Sequence, residues 1–287
     1  MIKFNLPKEL DEKEIQDFFD EKSADTKTIL NTINNNVLVK TRIKRYQKCK
    51  YRFHLIPELN HIDDLHDALL SCYSSKTKRF KGYLNGVKDK APGEYQNRCP
   101  YCGIGEVNTV DHILPKDRFP EYAFLPINLI YICSKCNSQK SDKYIHNKKR
   151  LFINPYIDNF LDEEFFQVNL EVDNIEPFIK YDVKINIDNI SDIENKEIIK
   201  MHYDELELEK RIIKRIRAPI NQNYKRIIKL LNKGNSTLEI KKIFLEQLEE
   251  EKLVFGVNHY KTSMSRAFGA SDYIDNLYKY LSLHNLL

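Results

Sequence analysis

The 287-residue chain contains no tryptophan, 3 methionines, 8 glycines and 10 prolines. So little glycine and proline excludes collagen-like and low-complexity chains, and neither an internal repeat at solenoid periods nor a biased tract is visible. No apolar run approaches the roughly 18–20 residues of a membrane-spanning helix, and Met1-Ile2-Lys3-Phe4 opens no signal-peptide apolar region. A cytoplasmic protein away from the membrane is therefore expected. The phosphate-binding pattern G-x-x-x-x-G-K-[ST] is also missing, so nucleotide-driven gating would have to come from another protein. What remains, 41% hydrophobic and 31% charged residues, is the composition of a folded enzyme or binding protein long enough to bury a core.

The net charge of +4 hides an uneven distribution. Residues 40–150 hold 22 Lys and Arg against 11 Asp and Glu, a net of +11, whereas residues 1–39 carry −3 and residues 151–287 carry −4. A concentrated basic excess is the footprint expected of a polyphosphate ligand. From Val37 to Phe53, Lys40, Arg42, Lys44, Arg45, Lys48, Lys50 and Arg52 interleave with Tyr46 and Tyr51, which suits either a basic element facing nucleic acid or a solvated charged face. A second cluster follows at Lys76, Lys78, Arg79, Lys81, Lys88 and Lys90.

Apolar spacing predicts an amphipathic helix over Lys8–Glu21 and another over His61–Tyr73, with Asn60 as its N-cap. Ala91-Pro92-Gly93 marks a break. Alternation at Phe166, Val168, Leu170 and Val172, then at Val183, Ile185 and Ile187, predicts two strands. Beyond Ser191 helices are expected over Asp192–Arg217, Ile220–Asn232, Thr237–Glu250 and Asp272–Leu283. Three regions follow: a helical basic region (1–90), a cysteine-bearing core (91–160), and a strand pair followed by a helical region (161–287).

Cys99-Pro-Tyr-Cys102 and Cys133-Ser-Lys-Cys136 are two Cys-x-x-Cys pairs separated by thirty residues. Four thiolates so spaced suit a tetrahedral Zn²⁺, each tight turn presenting two sulfurs. A four-sulfur site is coordinatively closed, so this zinc is expected to be structural. Cys49 and Cys72 lack such spacing and are expected as buried small residues. Between and after the pairs lie Asp111-His112-Ile-Leu-Pro115, Asn128-Leu129 and Asn137-Ser-Gln-Lys140.

Over residues 99–140 this order of elements resembles the HNH, or ββα-metal, nuclease family in its zinc-supported form: Cys-x-x-Cys, Asp-His-x-x-Pro, Asn-Leu, then Cys-x-x-Cys-(His/Asn)-x-x-Lys. More narrowly, Asp111–Pro120 and Phe152-Ile-Asn-Pro-Tyr156 are similar to PtuB-type HNH proteins of Septu and retron-associated anti-phage systems, which act beside a partner ATPase. The fold class implied is α+β, a zinc-supported ββα-metal core flanked by mainly helical N- and C-terminal regions and a small β element. Strands over Val107–Leu114 and Asn128–Cys133, with a helix beginning after Cys136, would bring Asp111 and Asn137 to one metal. Those hard oxygen ligands suit Mg²⁺ or Mn²⁺.

The resemblance implies His112 as general base, Asp111 and Asn137 as ligands of the catalytic metal, and Asn128 as the residue that fixes the hairpin and so orients His112. Lys140 would contact a phosphate oxygen or stand solvated. The family often has histidine where Asn137 stands, which implies weaker metal affinity here. The function implied is DNA cleavage in anti-phage defence, with a partner ATPase and a C-terminal region that docks a partner or oligomerises through its helices. A non-catalytic zinc module acting as nucleic-acid binder or adaptor, and an RNA-cleaving nuclease, are the alternatives. The other seven histidines read as ordinary core or surface residues.

Overall fold

Asp11 caps the first helix, α1 (Glu12–Asp20), through a capping box with Glu14, so the helix starts where an acidic side chain can satisfy its first free amides. The computed structural model describes residues 1–59, 63–75, 77–174 and 179–287. Asn60, His61, Ile62 and Lys76, about which the sequence raised expectations, lie outside the described residues. The chain divides into two compact units, one of Lys3–Tyr101 with Gly105–Asp158, the other of Met1–Ile2, Cys102–Ile104 and Asn159–Leu287. The break expected near residue 91 therefore falls inside the first unit, while the second boundary, expected at 160, comes at residue 158.

In the first unit, α1 is followed by α2 (Ala24–Asn31), α3 (Ile33–Lys48), α4 (Asp63–Ser74) and α5 (Lys78–Lys88). Then come the strands β1 (Thr109–His112) and β2 (Leu129–Ile132), the short helix α6 (Ser134–Lys140), and a small hairpin of β3 (Ile145–His146) and β4 (Lys149–Arg150). β1 and β2 pair antiparallel with Asp111 opposite Ile130 and His112 opposite Leu129. Their connecting loop is not a surface excursion. Phe119, Tyr122, Ala123, Phe124 and Leu125 within it are fully buried.

The N-terminal helices account for that burial. Phe18 of α1 stacks on Phe124 at 4.6 Å, and Tyr46 of α3 lies 4.8 Å from Tyr122. Arg42 of α3 reaches the buried Glu121 through Nε (2.8 Å) and also donates to Pro57 O (2.7 Å). The basic run is thereby α3 and the turn after it, with part of its charge answered within the unit. Arg42 is buried, Lys44 pairs with Glu12, Lys50 pairs with Glu9, and Lys40 donates to Gln16. In the second cluster Arg79 pairs with Glu21 and Asp17. These pairs take up part of the positive charge, and residues 1–150 together keep a net charge of +8.

In the second unit, β5 (Phe166–Val172) and β6 (Ile179–Ile185) form an antiparallel pair with Val168 opposite Val183. The helices are α7 (Ile193–Glu205), α8 (Leu208–Leu231), α9 (Thr237–Phe255), α10 (Tyr260–Ala270) and α11 (Tyr273–Leu283). Ser263 of α10 accepts from Val168 N (2.7 Å), and Asn258 accepts from Phe165 N (2.8 Å), so side chains fasten β5 to the helices. The expected break between residues 217 and 220 is absent, because Pro219 sits inside α8. The break comes at Glu207 in the left-handed conformation (φ 47°), with Arg211 donating to Leu206 O at 3.0 Å. α10 had not been anticipated. Among the described residues no helix is long and apolar enough to cross a membrane.

Removing Arg42 strands a buried carboxylate. Arg42→Ala is expected to cost about 3–5 kcal/mol in urea unfolding, whereas the double change Arg42→Met with Glu121→Leu should recover most of that loss. Equal destabilisation by the single and the double variant would contradict the pairing.

Candidate active site and metal centre

The Sγ atoms of Cys99, Cys102, Cys133 and Cys136 all lie within 4.8 Å of one another, and all four residues are buried. A tetrahedral zinc with Zn–S near 2.3 Å spaces its sulfurs by about 3.8 Å, so the donor set and its spacing suit this ion. Local geometry explains the convergence. After Cys102 the chain turns through Gly103 at φ 67°, a conformation glycine adopts without strain, and Cys99 N donates to Gly105 O at 2.8 Å. The second pair straddles the start of a helix: Cys133 is the N-cap of α6, its sulfur accepting from Cys136 N at 3.4 Å. The helix thus begins before Cys136 rather than after it. Of the remaining cysteines, Cys72 is buried, with its thiol pushed up to about 12 by desolvation, but Cys49 is exposed, contrary to expectation.

Asp111 and His112 end β1 and are both buried, yet both line one cleft of about 220 Å³ that also receives Tyr73, Lys116, Asn137 and Asp142. Asp111 accepts from Lys140 Nζ at 3.1 Å through Oδ1 and from Tyr101 Oη at 3.3 Å through Oδ2. Burial pushes its carboxyl up, and the Lys140 ammonium with the Tyr101 hydroxyl draws it back. Asn137 stands on α6 and donates its amide nitrogen to Thr109 Oγ1 at 3.1 Å, so the amide oxygen is what it offers the cleft. The structure therefore brings Asp111 and Asn137 to one cavity, and their oxygens suit a hard divalent cation that keeps most positions for water and phosphate.

His112 Nε2 lies 2.9 Å from Ala123 O. A carbonyl only accepts, so Nε2 carries the proton and Nδ1 keeps its lone pair. Desolvation lowers the imidazole to about 4, which keeps it neutral near pH 7. Asn128, fully buried, uses its whole amide. Oδ1 accepts from Leu114 N (2.8 Å) and Tyr46 Oη (3.2 Å), while Nδ2 donates to Leu114 O and Tyr122 O (both 3.1 Å). It ties the end of β1 to the loop that presents Ala123 O, and thereby the partner of His112.

Lys140 departs from expectation. Its ammonium is buried and donates to Asp111 and, at 2.8 Å, to His112 O, so it neither faces a phosphate nor stands in solvent. Its place one turn beyond Asn137 puts both on the face of α6 turned toward β1. Two residues escaped the sequence reading. Tyr101 lies between the first two cysteines, where its knuckle position was the available signal. Tyr73 of α4 meets the His112 ring in an edge arrangement with centroids 4.5 Å apart, a contact between segments that no local pattern reveals.

Residues 99–143, the segment that supplies this site, match the HNH endonuclease family model. Protein Ea31 of Escherichia phage lambda is 34% identical to the chain over 109 residues, covering 33% of this chain and 37% of Ea31. The chain thus matches little more than a third of that relative's length. No solved structure matches the chain. The match over residues 99–143, together with the four-cysteine cluster, supports a nuclease function.

The zinc assignment predicts one zinc per chain by atomic absorption. Cys136→Ser should lose the metal and lower the melting temperature by roughly 10 °C or more, since a structural zinc contributes directly to folding. A variant that melts with the unaltered protein would contradict the assignment.

Proposed function

We propose that the chain is a metal-dependent endonuclease that cleaves DNA at the cleft bounded by Asp111, His112 and Asn137. The observation that carries this reading is the tautomer of His112: Ala123 O holds Nε2, so Nδ1 keeps its lone pair, in a residue that lines one cleft with Asp111 and Asn137. Nδ1 takes the proton from a water as that water attacks the phosphorus. Desolvation keeps the imidazole ready to accept, and Asn128 keeps it aimed by holding both chain segments that meet at its ring. Asp111 and Asn137 hold the Mg²⁺ or Mn²⁺, which, when bound, neutralises charge on the scissile phosphate and the departing oxygen.

The wider setting we propose is anti-phage defence with a partner ATPase, supported by the likeness of Asp111–Pro120 and Phe152–Tyr156 to PtuB-type proteins. The second unit suits docking or self-association, since Leu238, Leu245 and Leu253 of α9 remain exposed. An RNA substrate is distinguished in the same assay, by offering duplex DNA and RNA side by side.

Asp111→Asn is the informative change, because its amide keeps an oxygen acceptor for the buried Lys140 ammonium that Asp111→Ala would remove. Asp111→Asn and His112→Ala are each expected to lower plasmid cleavage in Mn²⁺ by about 10²–10⁴-fold while zinc content and DNA binding persist. Wild-type rates from both variants would refute the proposal.

A further inference from the structure

The one carboxylate of the metal site already has a cation. Lys140 Nζ sits 3.1 Å from Asp111 Oδ1 and 2.8 Å from His112 O, with both side chains buried, and Tyr101 Oη occupies the other oxygen at 3.3 Å. Asn137 contributes no charge. The nearby Arg150 is paired with Asp158 at 2.5 Å, so no surplus anion comes from that side. Asp111, Asn137 and the Lys140 ammonium therefore sum to zero; of the other charged residues lining the cleft, Lys116 and Asp117 pair with each other at 2.9 Å, and Asp142 adds one carboxylate.

A divalent cation held by so few protein oxygens depends on further negative charge, and in such sites substrate phosphates supply it. Here the requirement is stronger, because an ion at Asp111 is repelled by the ammonium on the same carboxylate, in a setting of low dielectric where that repulsion is little screened. We propose that Lys140 keeps this site nearly empty of catalytic metal until nucleic acid brings its phosphates, so that the metal is captured together with the substrate. Lys140 then has two functions. In the unliganded protein it is the counter-ion that lets Asp111 be buried, and at the metal site it sets a threshold against free divalent ions. This rests on Asp111 being a metal ligand. A purely structural lysine gives the opposite expectation, since its loss would disorder Asp111 and weaken metal binding.

The test is Mn²⁺ binding to the zinc-loaded full chain, with free Mn²⁺ followed by electron paramagnetic resonance. A DNA duplex added to the His112→Ala protein, which holds the duplex uncut, should tighten Mn²⁺ binding by about tenfold or more. Without DNA, Lys140→Met should bind Mn²⁺ about tenfold or more tightly than the unaltered protein, with Lys140→Gln as the second variant should the methionine impair folding. Zinc content and melting temperature report folding. Equal Mn²⁺ affinity with and without duplex, or Lys140 variants that bind Mn²⁺ no more tightly, would overturn the proposal. With the duplex bound, adding Asp111→Asn to the His112→Ala protein separates the two levels: unchanged Mn²⁺ affinity there removes Asp111 as a ligand and with it the proposed metal site itself. Loss of affinity in Asp111→Asn without gain in the Lys140 variants rejects the threshold alone.

Discussion

Four cysteine sulfurs from two segments thirty residues apart converge within 4.8 Å, and the groups around Asp111 hang from those two segments. The first knuckle carries Tyr101, which donates to Asp111, between its cysteines. The second begins α6, whose next turns present Asn137 to the cleft and Lys140 to Asp111. β1 itself pairs with β2 over only four residues. So short a ribbon is marginal on its own, and a zinc held by the four cysteines would pin the chain on either side of it and supply rigidity that strand pairing cannot. A zinc bound there would set the geometry of the candidate site without lining its cleft.

The second support comes from outside the family match. Asn128 and Ala123 hold His112 only if the loop between the strands is itself held, and that loop is buried under α1, α3 and α4 through Phe18, Tyr46, Arg42 and Tyr73. The N-terminal helices are thus part of the active-site scaffold. This also accounts for part of the charge of the region. Arg42, Lys44, Lys50 and Arg79 answer acidic groups within the same unit, and a basic surplus of +8 over residues 1–150 remains beyond such pairs.

The sequence disclosed what depends on short spacing. Two Cys-x-x-Cys pairs predicted the four-sulfur cluster, Asp111, His112 and Asn137 of the motif line one cleft with Asn128 buried outside its lining, and alternation located β5 and β6. It failed where the outcome depends on a distant partner. Nothing near Lys140 tells whether its ammonium meets water, phosphate or a carboxylate, because Asp111 is 29 positions away in sequence. Tyr73 reaches His112 from another helix by the same kind of long-range closure. Pro219 misled because a single proline can remain within a helix 24 residues long, whereas the break fell at Glu207, a non-glycine residue in the left-handed region.

Anomalous diffraction from crystals of the His112→Ala protein bound to a DNA duplex, grown with zinc and soaked in Mn²⁺, tests the central claim most directly. The two metals must occupy different sites with different donors. Zinc is expected among the four sulfurs of Cys99, Cys102, Cys133 and Cys136. Manganese is expected on oxygens of Asp111, Asn137 and a DNA phosphate. Manganese bound elsewhere while Asp111 stays paired with Lys140 alone, or a cysteine cluster without zinc, would contradict it.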